Sequence, residues 1–284
     1  MTAQVIDGKA IAERIRADLK LEVNKLKEEG INPALTVILV GEDPASQVYV
    51  GAKVRCCHEL GIASQEIKLP EATTEDELLQ RIEALNQDGK VHGILVQLPL
   101  PRHINKQKVV EAISPAKDVD GFHPISTGRM MTKQNTFLPC TPYGIVRMLQ
   151  DSGVSIAGKH AVILGRSDIV GKPVGQLLLN ENATVTYCHS KTENIDSFLR
   201  QADIIVAAIG VEKFLQADQM KPGAVVIDVG INRMNNGKLC GDVDFENAQH
   251  IAGYITPVPG GVGPMTIAML MMNTVKAARE LTKG

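Results

Sequence analysis

Residues His160 to Pro173, HAVILGRSDIVGKP, decide the fold. An apolar run, HAVIL, meets Gly165 and a short polar turn, and a helix opens at Gly171-Lys172-Pro173. Strand, glycine turn and helix in that order are the unit of open parallel sheets with helices on their faces. The turn reads G-x-S-x-x-x-G, not G-x-G-x-x-G. Its logic is still that of a phosphate-binding turn. Gly165 permits a tight bend, while N–H groups and the positive dipole end at the helix start suit a pyrophosphate. Taken alone, the motif also fits a strand–turn–helix with no ligand.

The next strand, Ala183 to Cys188, sharpens the reading. It runs out through Tyr187-Cys188-His189-Ser190-Lys191-Thr192. NAD binders usually carry Asp or Glu near this point, to accept from the ribose 2′-hydroxyl. No carboxylate stands here, whereas Arg166, Ser190 and Lys191 can hold a 2′-phosphate by charge-assisted hydrogen bonds. NADP is therefore expected over NAD. The competing reading is a solvated basic turn. His189 reads as a strand-end residue, not a catalyst.

Working outward, the alternation continues. Downstream come a helix over Asn194–Ala202, strands over Asp203–Ile209 and Ala224–Val229, and a final helix over roughly 264–281. Upstream come a helix over Gly8–Glu29, a strand over Ala34–Val40 and a helix over Ala45–Leu60. A strand over Ile62–Leu69, a helix opening at Thr73–Glu77 and a strand over Gly93–Gln97 follow. Such alternation predicts βαβ units and parallel sheets. The stretch Ser114–Pro142 holds Pro115, Gly121, Pro124, Gly128, Pro139 and Pro142 and has no sustained period. It reads as the link between two lobes, with Thr141-Pro142 as N-cap and first residue of a helix ending near Gly153.

Composition agrees. The 284 residues are 44% hydrophobic and only 3% aromatic, so the core must be built from Val, Ile, Leu, Ala and Met, which suits buried parallel strands. A net charge of −2 gives no general basic field for nucleic acid or an anionic membrane. No signal-peptide pattern opens the chain and no apolar run approaches the roughly 18 residues of a membrane helix, so the cytoplasm is the expected location. Five cysteines, an odd count without C-x-x-C spacing, read as reduced packing thiols. The seven histidines show no ligand spacing, and no metal is expected.

A second constellation lies upstream. Tyr49 and Lys53 are four apart on the helix over Ala45–Leu60 and share a face. Gln97 ends a buried strand, at the carboxyl edge where α/β sheets bind ligands. Asp120 stands in Lys117-Asp118-Val119-Asp120-Gly121. Singly, each has an ordinary explanation: a helix surface, an amide satisfying its loop, an Asp-Gly turn.

Together they resemble a known family. YVGAK (Tyr49–Lys53), VQLPLP (Val96–Pro101), KDVDG (Lys117–Gly121), PCTP (Pro139–Pro142), GRSDIVGKP (Gly165–Pro173), CHSKT (Cys188–Thr192), DVGIN (Asp228–Asn232) and PVPGGVGPMT (Pro257–Thr266) occur in order across essentially the whole chain. The sequence is similar to the bifunctional methylenetetrahydrofolate dehydrogenase/methenyltetrahydrofolate cyclohydrolase family. The resemblance implies an α/β protein of two lobes. Residues 1–140 would form an N-terminal folate-binding catalytic lobe, joined by a C-terminal helix over about 264–284. Residues 141–263 would form a Rossmann-like NADP-binding lobe, with folate in the cleft.

The resemblance also implies roles. Lys53 becomes the central acid/base group, Gln97 its hydrogen-bond partner, Tyr49 the residue that stacks on the folate, and Asp120 the pterin ligand. Leu98, Pro99, Pro259, Gly260 and Gly261 line the substrate, the glycines letting backbone approach it. Gly165, Arg166, Ser167, Val170, Gly171, Pro173, Ser190 and Ile231 bind NADP. Tetrahydrofolate derivatives are the implied substrates and a homodimer the implied assembly. A shikimate-type dehydrogenase leaves VQLPLP and PGGVGPMT unexplained, and a non-catalytic NADP sensor has no need of an acid/base group, against which Lys53, Gln97 and Asp120 stand beside the dinucleotide lobe. A monofunctional methylenetetrahydrofolate dehydrogenase is the nearest alternative.

Overall fold

The computed structural model describes residues 2–234 and 237–282. In chain order, β1 (Gln4–Val5) leads into α1 (Gly8–Glu28), β2 (Ala34–Val40), α2 (Pro44–Leu60), β3 (Ala63–Leu69), α3 (Glu75–Gln87) and β4 (Gly93–Val96). Helices α4 (Lys106–Ala112), α5 (Pro124–Met131) and α6 (Cys140–Asp151) follow, then β5 (His160–Leu164), α7 (Gly171–Asn180), β6 (Thr184–Cys188), α8 (Ile195–Leu199), β7 (Ile204–Ala207) and β8 (Val225–Asp228). The short pieces β9 (Asn232–Arg233), β10 (Leu239–Cys240), α9 (Phe245–Ala248) and β11 (Tyr254–Ile255) precede α10 (Val262–Leu281). The last two positions of the helix expected over 264–284 lie outside the described residues. Among the described residues no helix is long and apolar enough to cross a membrane.

The chain divides into two units. One holds residues 14–138 and 267–284, the other residues 1–13 and 139–266. In the first, β2 is the centre of a parallel sheet of order β3-β2-β4. Six of the seven residues of β2 are buried, as a strand covered on both faces requires, whereas the edge strand β3 is largely exposed. Helix starts are set by short-range chemistry. The Asp43 carboxylate accepts from the Ser46 N–H with Pro44 in the first turn, and Thr74 and Glu77 form a reciprocal capping box on α3.

In the second unit six parallel strands run in the order β1-β11-β8-β7-β5-β6. Leu164, Cys188, Ala207 and Asp228 lie in register, so four strands end at one carboxyl edge. The chain leaves β5 to β6 on one side and returns to β7 on the other, which makes the β5/β7 edge a topological switch point.

Several sequence expectations need correction. Gln4 and Val5 pair with β11 of the six-stranded sheet, and residues 2–13 therefore group with that unit and not with the N-terminal lobe. The chain crosses between the units within Ser114–Pro142, at 138/139, as expected, but the residues up to 138 are folded into the first unit. Side chains tie this stretch to the elements around it. Lys117 Nζ donates to the carbonyls of Leu85 and Asp88 at 3.0 and 2.8 Å, and Asn273 Nδ2 on α10 donates to those of Val119 and Leu138 at 2.8 and 3.0 Å. Helix α6 is capped by Pro139, not Thr141, whose hydroxyl instead shares a hydrogen bond with that of Thr266. Helix α8 is shorter than expected. All five cysteines are free thiols; four are buried, and Cys57 Sγ donates to Met271 Sδ within the core.

Candidate active site

The two units offer two carboxyl edges. On the three-stranded sheet, Gln97 follows β4 directly, and its backbone N–H donates to the carbonyl of Ile38 on β2. Lys53 is in the third turn of α2, the helix that follows β2, and only 7% of its surface is exposed. Its Nζ donates to Gln97 Oε1 at 3.0 Å, while Gln97 Nε2 donates to the Leu98 carbonyl at 2.7 Å. Because a carbonyl can only accept, the second bond sets which way the amide faces, and the oxygen is left for the lysine. A burial this deep is unusual for lysine without a partner. Here one of three ammonium donors is fixed and the other two are directed by it.

Tyr49 is one turn earlier on α2 and half-buried, and burial pushes its phenol above the ordinary range, so it stays protonated at neutral pH. Leu98 and Leu100 are half-buried and Pro99 exposed, with a cis bond between Leu98 and Pro99.

Asp120 stands in a turn whose organiser is Asp118, a residue the sequence reading passed over. Asp118 is 2% exposed and accepts from the N–H groups of Phe122 and His123 and from the Ser126 hydroxyl, at 3.2, 2.9 and 2.9 Å. Burial pushes its carboxyl up to about 7 against those three donors. Asp118 and Asp120 line one small cavity with Leu98, Val109 and Phe122. KDVDG thus separates into three parts: Lys117 caps the end of α3, Asp118 fixes the turn, and Asp120 is presented at its rim.

On the six-stranded sheet the geometry is of another kind. Gly165 has φ +112°, and a β-carbon there would overlap the Ala208 carbonyl, so only glycine fits. Its N–H donates to the Cys188 carbonyl at 2.8 Å, which ties the β5 turn to the end of β6. Arg166, Ser190 and Lys191 are exposed on these adjoining turns. The N–H groups at the start of α7 are not all open, as the sequence suggested: Ser167 Oγ accepts from Val170 and Gly171 at 3.2 and 3.1 Å. Both its lone pairs are used, so the hydroxyl proton is directed outward. Pro173 is buried in the first turn of α7. His189 is structural, its Nδ1 accepting from the Lys191 N–H at 3.2 Å.

Ile231 follows β8 and is 48% exposed. The Pro259-Gly260-Gly261 loop precedes α10, and Gly260 (φ +105°) accepts from the Lys9 N–H at 2.9 Å. A β-carbon on Gly261 would come within 2.6 Å of the Pro257 carbonyl, so this glycine is demanded by its own loop. Buried below this edge are two further carboxylates the sequence reading missed, Asp228 and Asp242.

Residues in this arrangement fit a dinucleotide. A strand-to-helix turn without β-carbon, exposed cations at the ends of β5 and β6, and a switch point between β5 and β7 are what a pyrophosphate and a 2′-phosphate require.

Known proteins resemble this chain along its whole length. Residues 6–120 match the tetrahydrofolate dehydrogenase/cyclohydrolase catalytic domain, and residues 139–282 match the NAD(P)-binding domain of the same family. The bifunctional protein FolD of Halalkalibacterium halodurans is 62% identical over 280 residues, covering 99% of this chain and 100% of that one. Among solved structures, the bifunctional FolD methylenetetrahydrofolate dehydrogenase/cyclohydrolase of Campylobacter jejuni is 51% identical with a TM-score of 0.97, covering 98% of this chain and 99% of that one. The Trypanosoma brucei methylenetetrahydrofolate dehydrogenase-cyclohydrolase, complexed with NADP cofactor and inhibitor, is 40% identical with a TM-score of 0.96, each chain covered fully. With both domain models matched in order and relatives aligned from end to end, the chain belongs to the tetrahydrofolate dehydrogenase/cyclohydrolase family.

Proposed function

We propose that this protein oxidises 5,10-methylenetetrahydrofolate to 5,10-methenyltetrahydrofolate with NADP⁺ and hydrolyses the methenyl form to 10-formyltetrahydrofolate. The observation that carries the reading is the buried Lys53 ammonium fixed on Gln97 at the carboxyl edge of the catalytic-domain sheet. An enzyme that only passed hydride to a nucleotide would have little use for it.

Bound NADP⁺ supplies the acceptor for the hydride leaving the methylene carbon. For that step the protein contributes alignment, since lone pairs on the substrate nitrogens stabilise the resulting cation. Hydrolysis is different. It requires water to add to the methenyl carbon and lose both its protons as the carbonyl forms; a ring nitrogen takes up one as its C–N bond breaks, and the other is released to solvent. Lys53 Nζ is the group assigned to these transfers. Gln97 fixes its direction, Tyr49 stacks on and orients the folate, and Asp120 accepts from the pterin ring. Leu98, Pro99, Pro259, Gly260 and Gly261 complete the substrate walls.

On the other unit, Arg166, Ser190 and Lys191 hold the 2′-phosphate. Gly165, Ser167, Val170, Gly171 and Pro173 form the turn under the pyrophosphate, and Ile231 offers an apolar contact. The same reading makes the working form a cytoplasmic homodimer without nucleic-acid or membrane partners, and light scattering at micromolar protein checks the dimer.

The test is absorbance of purified protein with methylenetetrahydrofolate and NADP⁺, against NAD⁺, with products followed before an acid quench. NADP⁺ reduction with 10-formyltetrahydrofolate forming faster than spontaneous hydrolysis is expected. Accumulation of the methenyl form alone would make the enzyme monofunctional.

A further inference from the structure

Two buried carboxylates at the carboxyl edge of the six-stranded sheet have no part in the chemistry above. Asp242 is fully buried. Its Oδ2 accepts from the N–H groups of Ile209 and Gly210, just past β7, at 2.8 and 2.9 Å, and its Oδ1 accepts from Asn232 Nδ2, past β8, at 2.9 Å. Asp228, at the end of β8 and 3% exposed, accepts from the N–H groups of Gly230, Asp242 and Val243 at 2.9, 2.8 and 3.0 Å, while its own N–H donates to Thr256 Oγ1 at 2.7 Å.

One carboxylate therefore seats the other, and the second joins the loops after β7 and β8. The chain makes room for both: a β-carbon on Gly230 would overlap the Asp242 carboxylate, and one on Gly241 would overlap that of Asp228. Burying two carboxylates is unfavourable unless each is fully hydrogen-bonded, and apolar side chains would fill the same space more simply. What apolar side chains lack is the ability to fix N–H groups from two separate loops at once. Between those groups stands Ile231, 48% exposed and held by Gly230 on one side and Asn232 on the other.

We propose that Asp242 is a positioning residue for the dinucleotide, fixing Ile209, Gly210 and Ile231 as one wall of its site, and that it therefore serves the oxidation and not the hydrolysis. The inference rests on the reading of this unit as the NADP site. Asp242 touches neither substrate nor reacting atoms, and it acts through the two loops.

The test compares wild type, Asp242→Ala, Asp242→Asn and Asn232→Ala by NADPH fluorescence titration, by dehydrogenase kinetics, and by methenyltetrahydrofolate hydrolysis without nucleotide. Asp242→Ala leaves three donors unpaired and is expected to raise the NADPH Kd and the NADP⁺ KM by about 30-fold or more, with hydrolysis within about twofold of wild type. Asp242→Asn keeps an oxygen for Ile209 and Gly210 and should recover most of that loss. Asn232→Ala, which removes one bond from a half-buried side chain, should raise the Kd by about three- to tenfold and remains informative if Asp242→Ala does not fold. Wild-type NADPH affinity in Asn232→Ala or in folded Asp242→Ala, or parallel loss of both activities in every variant, would overturn the inference. A wild-type protein that neither binds NADPH nor reduces NADP⁺ would instead overturn the reading beneath it.

Discussion

The two carboxyl edges of this protein are built in opposite ways. At the edge of the three-stranded sheet the working parts are long side chains, Lys53 from α2 and Gln97 from the end of β4, joined by one hydrogen bond of 3.0 Å. At the edge of the six-stranded sheet they are a turn stripped of β-carbon at Gly165, a capping serine and exposed cations, with carboxylates buried beneath to hold the loops. The difference follows from where the chemistry resides. Taking protons from water and giving one to a ring nitrogen requires a titratable group held in one direction by a partner. A nicotinamide brings its own reactivity, so its site needs shape, N–H donors and charge at the phosphates.

This contrast makes mutations at the two edges fail differently. The largest effect is expected from Lys53→Met, which should lower hydrolysis of methenyltetrahydrofolate by about 10³-fold while sparing more of the dehydrogenase, read by the two absorbance assays on one preparation. Equal loss of both activities with folate binding intact would break the division.

Gly165→Ala comes next. Its methyl would meet the Ala208 carbonyl at φ +112°, so about 1–3 kcal/mol of stability should be lost through backbone strain, with clash added, and the NADP⁺ KM should rise. Thermal melts and dehydrogenase kinetics read both. Unchanged melting would mean the turn is looser than its geometry implies.

Arg166→Ala should raise the NADP⁺ KM about tenfold, leave the folate KM alone and narrow the preference for NADP over NAD. An unchanged preference would remove Arg166 from the 2′-phosphate site.

A separate effect, on stability and not on either activity, is one of pH. Asp118 is held at about 7 by burial, above its unfolded value near 4, so the folded protein binds the extra proton between those values. Stability from this group therefore falls as pH rises from about 4 to 7 and is level above that, by at most about 1.4 kcal/mol per pH unit. Asp228, held at about 6 by burial, adds a slope of the same sign up to that pH. Asp118→Asn should flatten the dependence of denaturant midpoint on pH across this window, and an identical slope in variant and wild type would refute the assignment.

Much of this was legible in the sequence, for physical reasons. Apolar runs such as ALTVILV and HAVIL announce buried parallel strands, and α7 begins at the residue where the G-x-S-x-x-x-G turn ends. Lys53 and Gln97 were each unremarkable alone, and it was the co-occurring motifs that joined them. What stayed hidden has no periodicity to show it. The strands β1 and β11 are two residues each, too short for a pattern, yet their pairing joins the N-terminal segment up to residue 13 to the six-stranded unit. The stretch Ser114–Pro142 holds the crossing between the units at 138/139, but its Pro and Gly also belong to turns organised by Asp118 and to the start of α5, which fold into the first unit. Asp228 and Asp242 are 14 residues apart, and only the fold brings one against the N–H of the other.

The central claim is that hydrolysis belongs to one edge and cofactor selection to the other. The most direct test is the ratio of dehydrogenase to cyclohydrolase rates in Lys53→Met and Arg166→Ala, measured side by side at subsaturating NADP⁺. The ratio should rise well above wild type in Lys53→Met and fall below it in Arg166→Ala. A ratio unchanged in both variants would contradict the account.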